Sequence, residues 1–524
     1  MLADWCGKAG DRGARGRPPL TAAAALLLSA CVVSNGVKVE PLPREPVSVK
    51  SPVKAHLKDG STVVFAEGAT VGGGLVRGKG VRHDLALKAS QPVGEIPLDQ
   101  VVAMERFRDD VDGTSSVLLT LLATAAGVAA TGALAVAIFG SCPTVYSNPG
   151  RSPQLEAETF SHSIASLFED RDLDRPSVDA GPDASLRLEI RNEALETHYI
   201  NHLQLLEVRH DDSETVVPDQ AGAALVVGSR SPALTARSRA GLDVKGAIAE
   251  ADEDSFRTNA ETLAAARAGD LEDWIDLAFP APAGTDQAAL VLRARSSLLN
   301  TVLFYDVMLA DAGPRALDWL GDLERISHAV ELGRFVRKYM GLRVLEWRDG
   351  ELRELARIAD PGPIAWHDVA VSVPVKPGQR EIRLRLTFLA DAWRIDAVAL
   401  AQSARRETPR SLPVAEVTGS TGLLEPEALR SLRAPDNHYL QTSPGQRFFA
   451  RFDPPPLARG ERRTLLLSSQ GYYSEWVRGD WLRAAHPPRV FVPGEDVLVD
   501  ALGRWQRKQA SLEARFETQR VPVL

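Results

Sequence analysis

Cysteine is scarce in this chain: three in 524 residues, Cys6, Cys31 and Cys142. Four thiolates cannot be gathered, so a four-cysteine zinc site is excluded. Basic charge is also short, with 61 Lys and Arg against 69 Asp and Glu and a formal net charge of −8. No basic stripe interleaved with aromatics occurs, which argues against nucleic acid as a partner. Hydrolase signatures are missing too. Gly-x-Ser-x-Gly does not occur, and Gly419-Ser420-Thr421-Gly422 lacks the spacing of a nucleophile elbow. Gly72-Gly73-Gly74, Gly78 and Gly80 lack the Lys-Ser/Thr ending and following helix of a phosphate loop, and are read as tight turns. Carboxylates are too numerous to single out a glycosidase pair. No catalytic residue, metal set or cofactor is expected on these grounds.

What is present begins with two uncharged runs. Lys8, Arg12, Arg15 and Arg17 precede Pro18-Pro19 and the apolar stretch Leu20 to Leu28, the anatomy of a secretory signal. Leu28-Ser29-Ala30-Cys31 at its end resembles the lipobox of bacterial lipoproteins. The resemblance implies cleavage before Cys31, diacylation of its thiol and acylation of the new amino group, with palmitate among the acyl chains. An ordinary signal peptide with a coincidental cysteine is the alternative. Removing residues 1–30 takes away four basic and two acidic residues, so the mature chain is two charges more negative than −8. Cys6 leaves with the signal and Cys31 takes lipid, so Cys142 has no intramolecular disulfide partner. The expected location is the bacterial cell envelope, membrane-anchored, with the N-terminus facing the periplasm.

The second run, Val117 to Phe139, is long enough to cross a hydrocarbon core of about 30 Å at roughly 1.5 Å per residue. Its alanines and glycines weaken insertion. Ala123, Gly127, Thr131 and Ala135 form a row of small residues suited to close helix packing. The helix 115–140 is read as spanning a bilayer or, alternatively, as buried in a protein core.

Composition over the whole chain is globular, with 44% hydrophobic and 25% charged residues. The Pro-rich segment 31–52 reads as a tether. Short strands separated by Gly and Asp59-Gly60 turns make 53–112 a small SH3- or Sm-like barrel. Residues 141–310 read as a β-rich domain with a helical insertion at 248–278, and 311–341 as a helix. In 342–524, regular strands with turns at Asp349-Gly350, Asp360-Pro361-Gly362-Pro363 and Lys376-Pro377-Gly378 argue a jelly-roll-like β-sandwich ending in a helix from about Asp500 to Glu517. The fold class is therefore mainly β with helical insertions.

Gly140-Ser141-Cys142-Pro143-Thr144-Val145-Tyr146, the block Asn192 to Asn201, and Gly471-Tyr472-Tyr473-Ser474-Glu475-Trp476 are similar to blocks of an uncharacterised bacterial envelope lipoprotein family. The resemblance covers roughly 140–485. It implies a compartment and no activity. Additional cysteines expected near Cys142 in some relatives are absent here, which removes support for a metal or disulfide role at that position.

Four constellations remain. His198 and His202 lie four apart, but the flanking Ile200, Leu203 and Leu205 place them on a strand, about 13 Å apart at 3.3 Å per residue, too far for one metal. Asp170-Arg171-Asp172-Leu173-Asp174 resembles a calcium loop but lacks its Gly and Glu, and is read as a solvated acidic turn. Cys142, followed by Pro and near His162 in sequence, is read as a buried structural thiol rather than a nucleophile. Tyr472, Tyr473, Trp476 and Trp481 are the best binding candidates, since Trp and Tyr faces stack on sugars, with core packing as the competing role. The leading function is a structural or binding role in the envelope, with an envelope protein as partner. The alternatives are a surface carbohydrate-binding protein and an unrecognised hydrolase.

Overall fold

Period-two patterns become strands over most of the chain. Ile382, Leu384, Leu386 and Phe388 are buried while Glu381 and Arg383 face solvent, so the strand Glu381–Leu389 lays one face on a core. Asp349 and Gly350 both take positive φ (55° and 85°) and join Leu342–Arg348 to Glu351–Ile358, the two-residue turn that Asp-Gly favours. The computed structural model describes residues 46–516 except 85–88, 108–141, 149–151, 179–184, 459 and 485. Cys31 and the hydrophobic segment 115–140 lie outside the described residues. No helix among the described residues is long and apolar enough to cross a membrane.

The molecule is mainly β, with six sheets among the described residues. An eight-stranded sheet takes seven strands from residues 47–106 and an eighth, Val477–Arg478, from near the C-terminus. Two five-stranded sheets form a sandwich. One contains Asp170–Asp174, Arg462–Glu475, Glu196–His210, Arg410–Pro413 and Leu440–Thr442. The other contains Glu416–Gly419, Arg447–Phe452, Leu186–Arg191, Thr144–Ser147 and Gln154–Glu158. Leu188, Ile190, Phe448 and Phe452 of the second meet Leu203, Leu205, Leu465 and Leu467 of the first in one apolar cluster. A further pair consists of a four-stranded sheet built on Gln287–Ser296 and Trp393–Ala401 and a five-stranded sheet built on Glu272–Pro280 and Glu381–Leu389.

A three-stranded sheet of Thr215–Pro218, Ala224–Val227 and Ala404–Glu407 lies between these pairs. Val216 and Val226 pack on Leu206 and Val208, whereas Val217, Leu225 and Val227 pack on Val291, Ala370 and Ala401. Burial on both faces explains why Ala-Leu-Val-Val is an unbroken apolar run rather than an alternating one.

Three expectations are corrected. The helical reading of 248–278 shrinks to Ala260–Arg267, because Ile275, Leu277 and Phe279 alternate inward on the strand Glu272–Pro280. The helix expected at 311–341 is broken into a 3-10 turn Gly313–Arg315 and helices Ala316–Asp322 and Ile326–Tyr339. The break rotates the apolar face, leaving Ile326 and Val330 exposed while Leu317, Leu320 and Phe335 stay buried. Finally, 141–310 and 342–524 share sheets. Glu196–His210 pairs along its length with Arg462–Glu475, and Glu272–Pro280 pairs with Glu381–Leu389. The C-terminal helix Glu495–Arg515 closes the larger core with Leu498, Leu502 and Trp505.

Candidate functional site

Leu298 to Ala310 is almost wholly apolar, and its end winds as a π-helix, Val302–Ala310, whose backbone closes on Asp306 O accepting from Asp311 N–H. This wide, uncommon form occurs often at functional sites. Here it forms one wall of a cavity of about 460 Å³, within the range of small-molecule pockets. Leu303, Phe304, Tyr305 and Met308 of the π-helix face Leu332, Gly333 and Val336 of Ile326–Tyr339. Phe168, Ile164, Ile358 and Tyr473 add to the apolar lining. Ser161, His162, Asp170, Asn300, Arg337, Arg357 and Asp360 supply its polar groups.

Beside this cavity runs an acidic row. Asp170–Asp174 is a strand paired antiparallel to Arg462–Glu475, not a turn, so the solvated-turn expectation is corrected. Alternation puts Asp170, Asp172 and Asp174 on one face. Leu173, on the other, joins an apolar cluster, and Arg171 Nε donates to Ser468 Oγ at 2.8 Å. Asp170 Oδ2 lies 3.3 Å from His162 Nε2. Asp172 accepts the Phe160 N–H at 3.0 Å and the Leu173 N–H at 2.8 Å. Asp174, 3% exposed, meets His367 Nε2 at 3.1 Å through Oδ1, while its Oδ2 has no hydrogen-bond partner. Ligating atoms of Asp172, Asp174 and His367 fall within 4.8 Å of one another. Burial first, and then the charges of Asp172 and Glu158, push the Asp174 pKa well above the carboxylate range. Burial alone would lower the His162 pKa, but the Asp170 hydrogen bond and the Asp172 and Asp360 carboxylates raise it overall.

A second polar group is fully enclosed. Glu196 accepts from the Cys142 N–H and lies 2.7 Å from His198 Nε2. Burial raises the Glu196 pKa to about 8 and raises its neighbour Glu475 as well, although Arg478 stands 3.8 Å from Glu475. Burial holds His198 neutral, with its pKa at about 3. Cys142 is buried and at positive φ (86°), in keeping with a structural thiol. His198 and His202 both sit on Glu196–His210, separated by a bulge after Ile200.

The aromatic group expected to bind is mostly core. Trp476 is 0% exposed, stacks on His56 at 4.0 Å, and donates through Nε1 to Thr197 Oγ1 at 3.0 Å. Tyr473 and Trp481 are buried, and only Tyr472 is partly open, stacked on Tyr199 at 4.6 Å. The physical reason is position: strand Arg462–Glu475 is central in its sheet, and the chain then crosses directly into the eight-stranded sheet. Tyr473 is the one member of the group lining the cavity. His367, Glu158 and Asp360 escaped the sequence reading because they come from elements far apart in the chain. The alternating Asp-x-Asp-x-Asp carried a signal, once read as a strand.

The site is thus a ligand-sized apolar cavity with an acidic flank on a mainly β protein. No family model and no curated protein matches the chain. Among solved structures, a GH31 alpha-xylosidase from Xanthomonas citri aligns over 82% of this chain and 38% of its own, at 10% identity and a TM-score of 0.15. This chain therefore spans well under half of that enzyme, and a similarity of this degree carries no argument about fold or activity.

Proposed function

We propose that the chain is a lipid-anchored bacterial cell-envelope protein with a binding role, holding a small, largely apolar molecule in the cavity between the π-helix and Ile326–Tyr339. The observation that carries this reading is a cavity of about 460 Å³ with apolar walls and a few polar groups on one protein surface. The anchoring part rests on the sequence pattern ending at Cys31. Within the same proposal, 53–112 is a small SH3- or Sm-like barrel. It is supported by Leu75–His83, which pairs with Ala69–Gly72 and Thr62–Phe65 along one edge and Ser90–Pro97 along the other. The jelly-roll reading of 342–400 is supported by strands that divide between two sheets, His367–Pro374 and Trp393–Ala401 in one and the other three in the second.

Titration with a fluorescent fatty-acid analogue tests the binding role. Saturable binding at one site is expected, and Gly333→Leu, which fills space toward Phe168 (3.6 Å from the added Cβ), should weaken it about tenfold or more. No saturable binding, or equal binding by Gly333→Leu, would overturn the reading. Metabolic palmitate labelling tests the anchor, with the label lost in Cys31→Ser. The hydrolase alternative is favoured only by the acidic row with His162 and His367. The carbohydrate alternative loses its platform with Trp476 and Tyr473 in the core.

A further inference from the structure

We propose that Asp172, Asp174 and His367 form a binding site for a first-row divalent cation, zinc by preference. Three features converge. The ligating atoms are gathered within 4.8 Å, and the His367 Nε2 to Asp174 Oδ1 separation of 3.1 Å is close to the edge of a tetrahedron with bonds of about 2.0–2.1 Å. The carboxyl of Asp174 is taken out of water with Oδ2 left without a hydrogen bond, and His367 Nε2 likewise has none. Buried polar atoms are rarely left so. The only basic group within 4.0 Å of Asp174 among the described residues is His367 itself, while Asp172 and the fully buried Glu158 add negative charge.

The supporting shell suits a ligand set. The Phe160 and Leu173 N–H groups orient Asp172, and the Ile364 N–H at 2.6 Å fixes Glu158 behind Asp174. Two carboxylates and one imidazole leave a fourth position open, a pattern of zinc sites that bind water or a ligand. The imidazole and the small oxygen count disfavour calcium. The site shares the Asp170–Asp174 strand with the cavity, which that strand lines through Asp170.

The test uses tag-free full-length protein stripped with a chelator and titrated calorimetrically with Zn²⁺, Mn²⁺ and Ca²⁺, alongside Asp174→Asn and His367→Gln. One Zn²⁺ per chain is expected, tighter than Mn²⁺ and Ca²⁺, with both variants weakened about tenfold or more. Zinc should raise the melting temperature of the wild type and of neither variant. Absence of saturable zinc binding, or unchanged affinity in both variants, overturns the site. Asp174→Asn keeps the shape of the side chain, and His367 is the only basic group it meets among the described residues, so its metal-free melting temperature should stay close to that of the metal-free wild type. If that variant fails to fold, His367→Gln decides alone.

Discussion

Glu196 is enclosed with His198, Glu475, Arg478, Cys142, Tyr305 and Tyr473, and it holds a proton at neutral pH with a pKa of about 8. The unfolded chain releases that proton near the ordinary value of 4.5. Between these values the native state binds more protons than the unfolded state, so this group's stabilisation is complete below about pH 4.5 and is lost as pH rises through about 8. Glu105 acts oppositely. Burial would raise it, but Lys54, His56 and Thr197 hold its pKa at about 2, so its stabilisation is present above 4.5 and disappears as pH falls toward 2. Melting curves from pH 7 to 8.5, above the range in which the lowered His198 pKa adds stability with rising pH, should show the wild type losing stability as pH rises and Glu196→Gln losing less. Equal slopes would refute the assignment. Trp476→Ala, at a fully buried indole, should cost about 3–5 kcal/mol in denaturant unfolding. A melting temperature left unchanged by that substitution would contradict its place in the core.

At the scale of elements, strands with one buried face were readable, as in Glu381–Leu389, because alternation is a local signal. The π-helix was not, because Val302–Ala310 is buried nearly all round and has no polar face to mark a period. The sequence places Gly78 and Gly80 in turns, yet only Gly73 and Gly74, both at positive φ, make the hairpin turn. Gly78 and Gly80 lie within Leu75–His83, where the strand crosses Phe65. A Cβ at Gly80 would approach Phe65 and Val63 to 2.8 Å each. Gly80→Ala should therefore destabilise by about 1–3 kcal/mol through overpacking, read as a lower denaturant midpoint at constant slope. A midpoint equal to the wild type would show that the strand can move off Phe65. The candidate site was hidden for a related reason: its acidic row was visible as residues, but its partner His367 lies on another sheet, and pairing between distant strands leaves no mark in either segment.

Those distant pairings also decide how the whole molecule folds. Strand-rich stretches early and late in the chain look like separate domains because each carries its own alternation and turns. The sheets cross that division. Arg462–Glu475 finds its neighbours in Glu196–His210 and Asp170–Asp174, Glu381–Leu389 finds one in Glu272–Pro280, and Val477–Arg478 completes the sheet formed by residues 47–106. A fragment 342–524 would expose unpaired strand edges and the apolar faces of Leu465, Leu467, Leu384 and Leu386, which are buried against earlier residues. Expressed alone, it should show no cooperative thermal transition and should bind a hydrophobic dye, whereas residues 46–516 together should unfold in one main transition. A sharp, reversible transition in the isolated fragment would mean that the late strands possess a sufficient core of their own, and the interleaved pairings would then be a docking interface between two domains rather than the condition for either to fold.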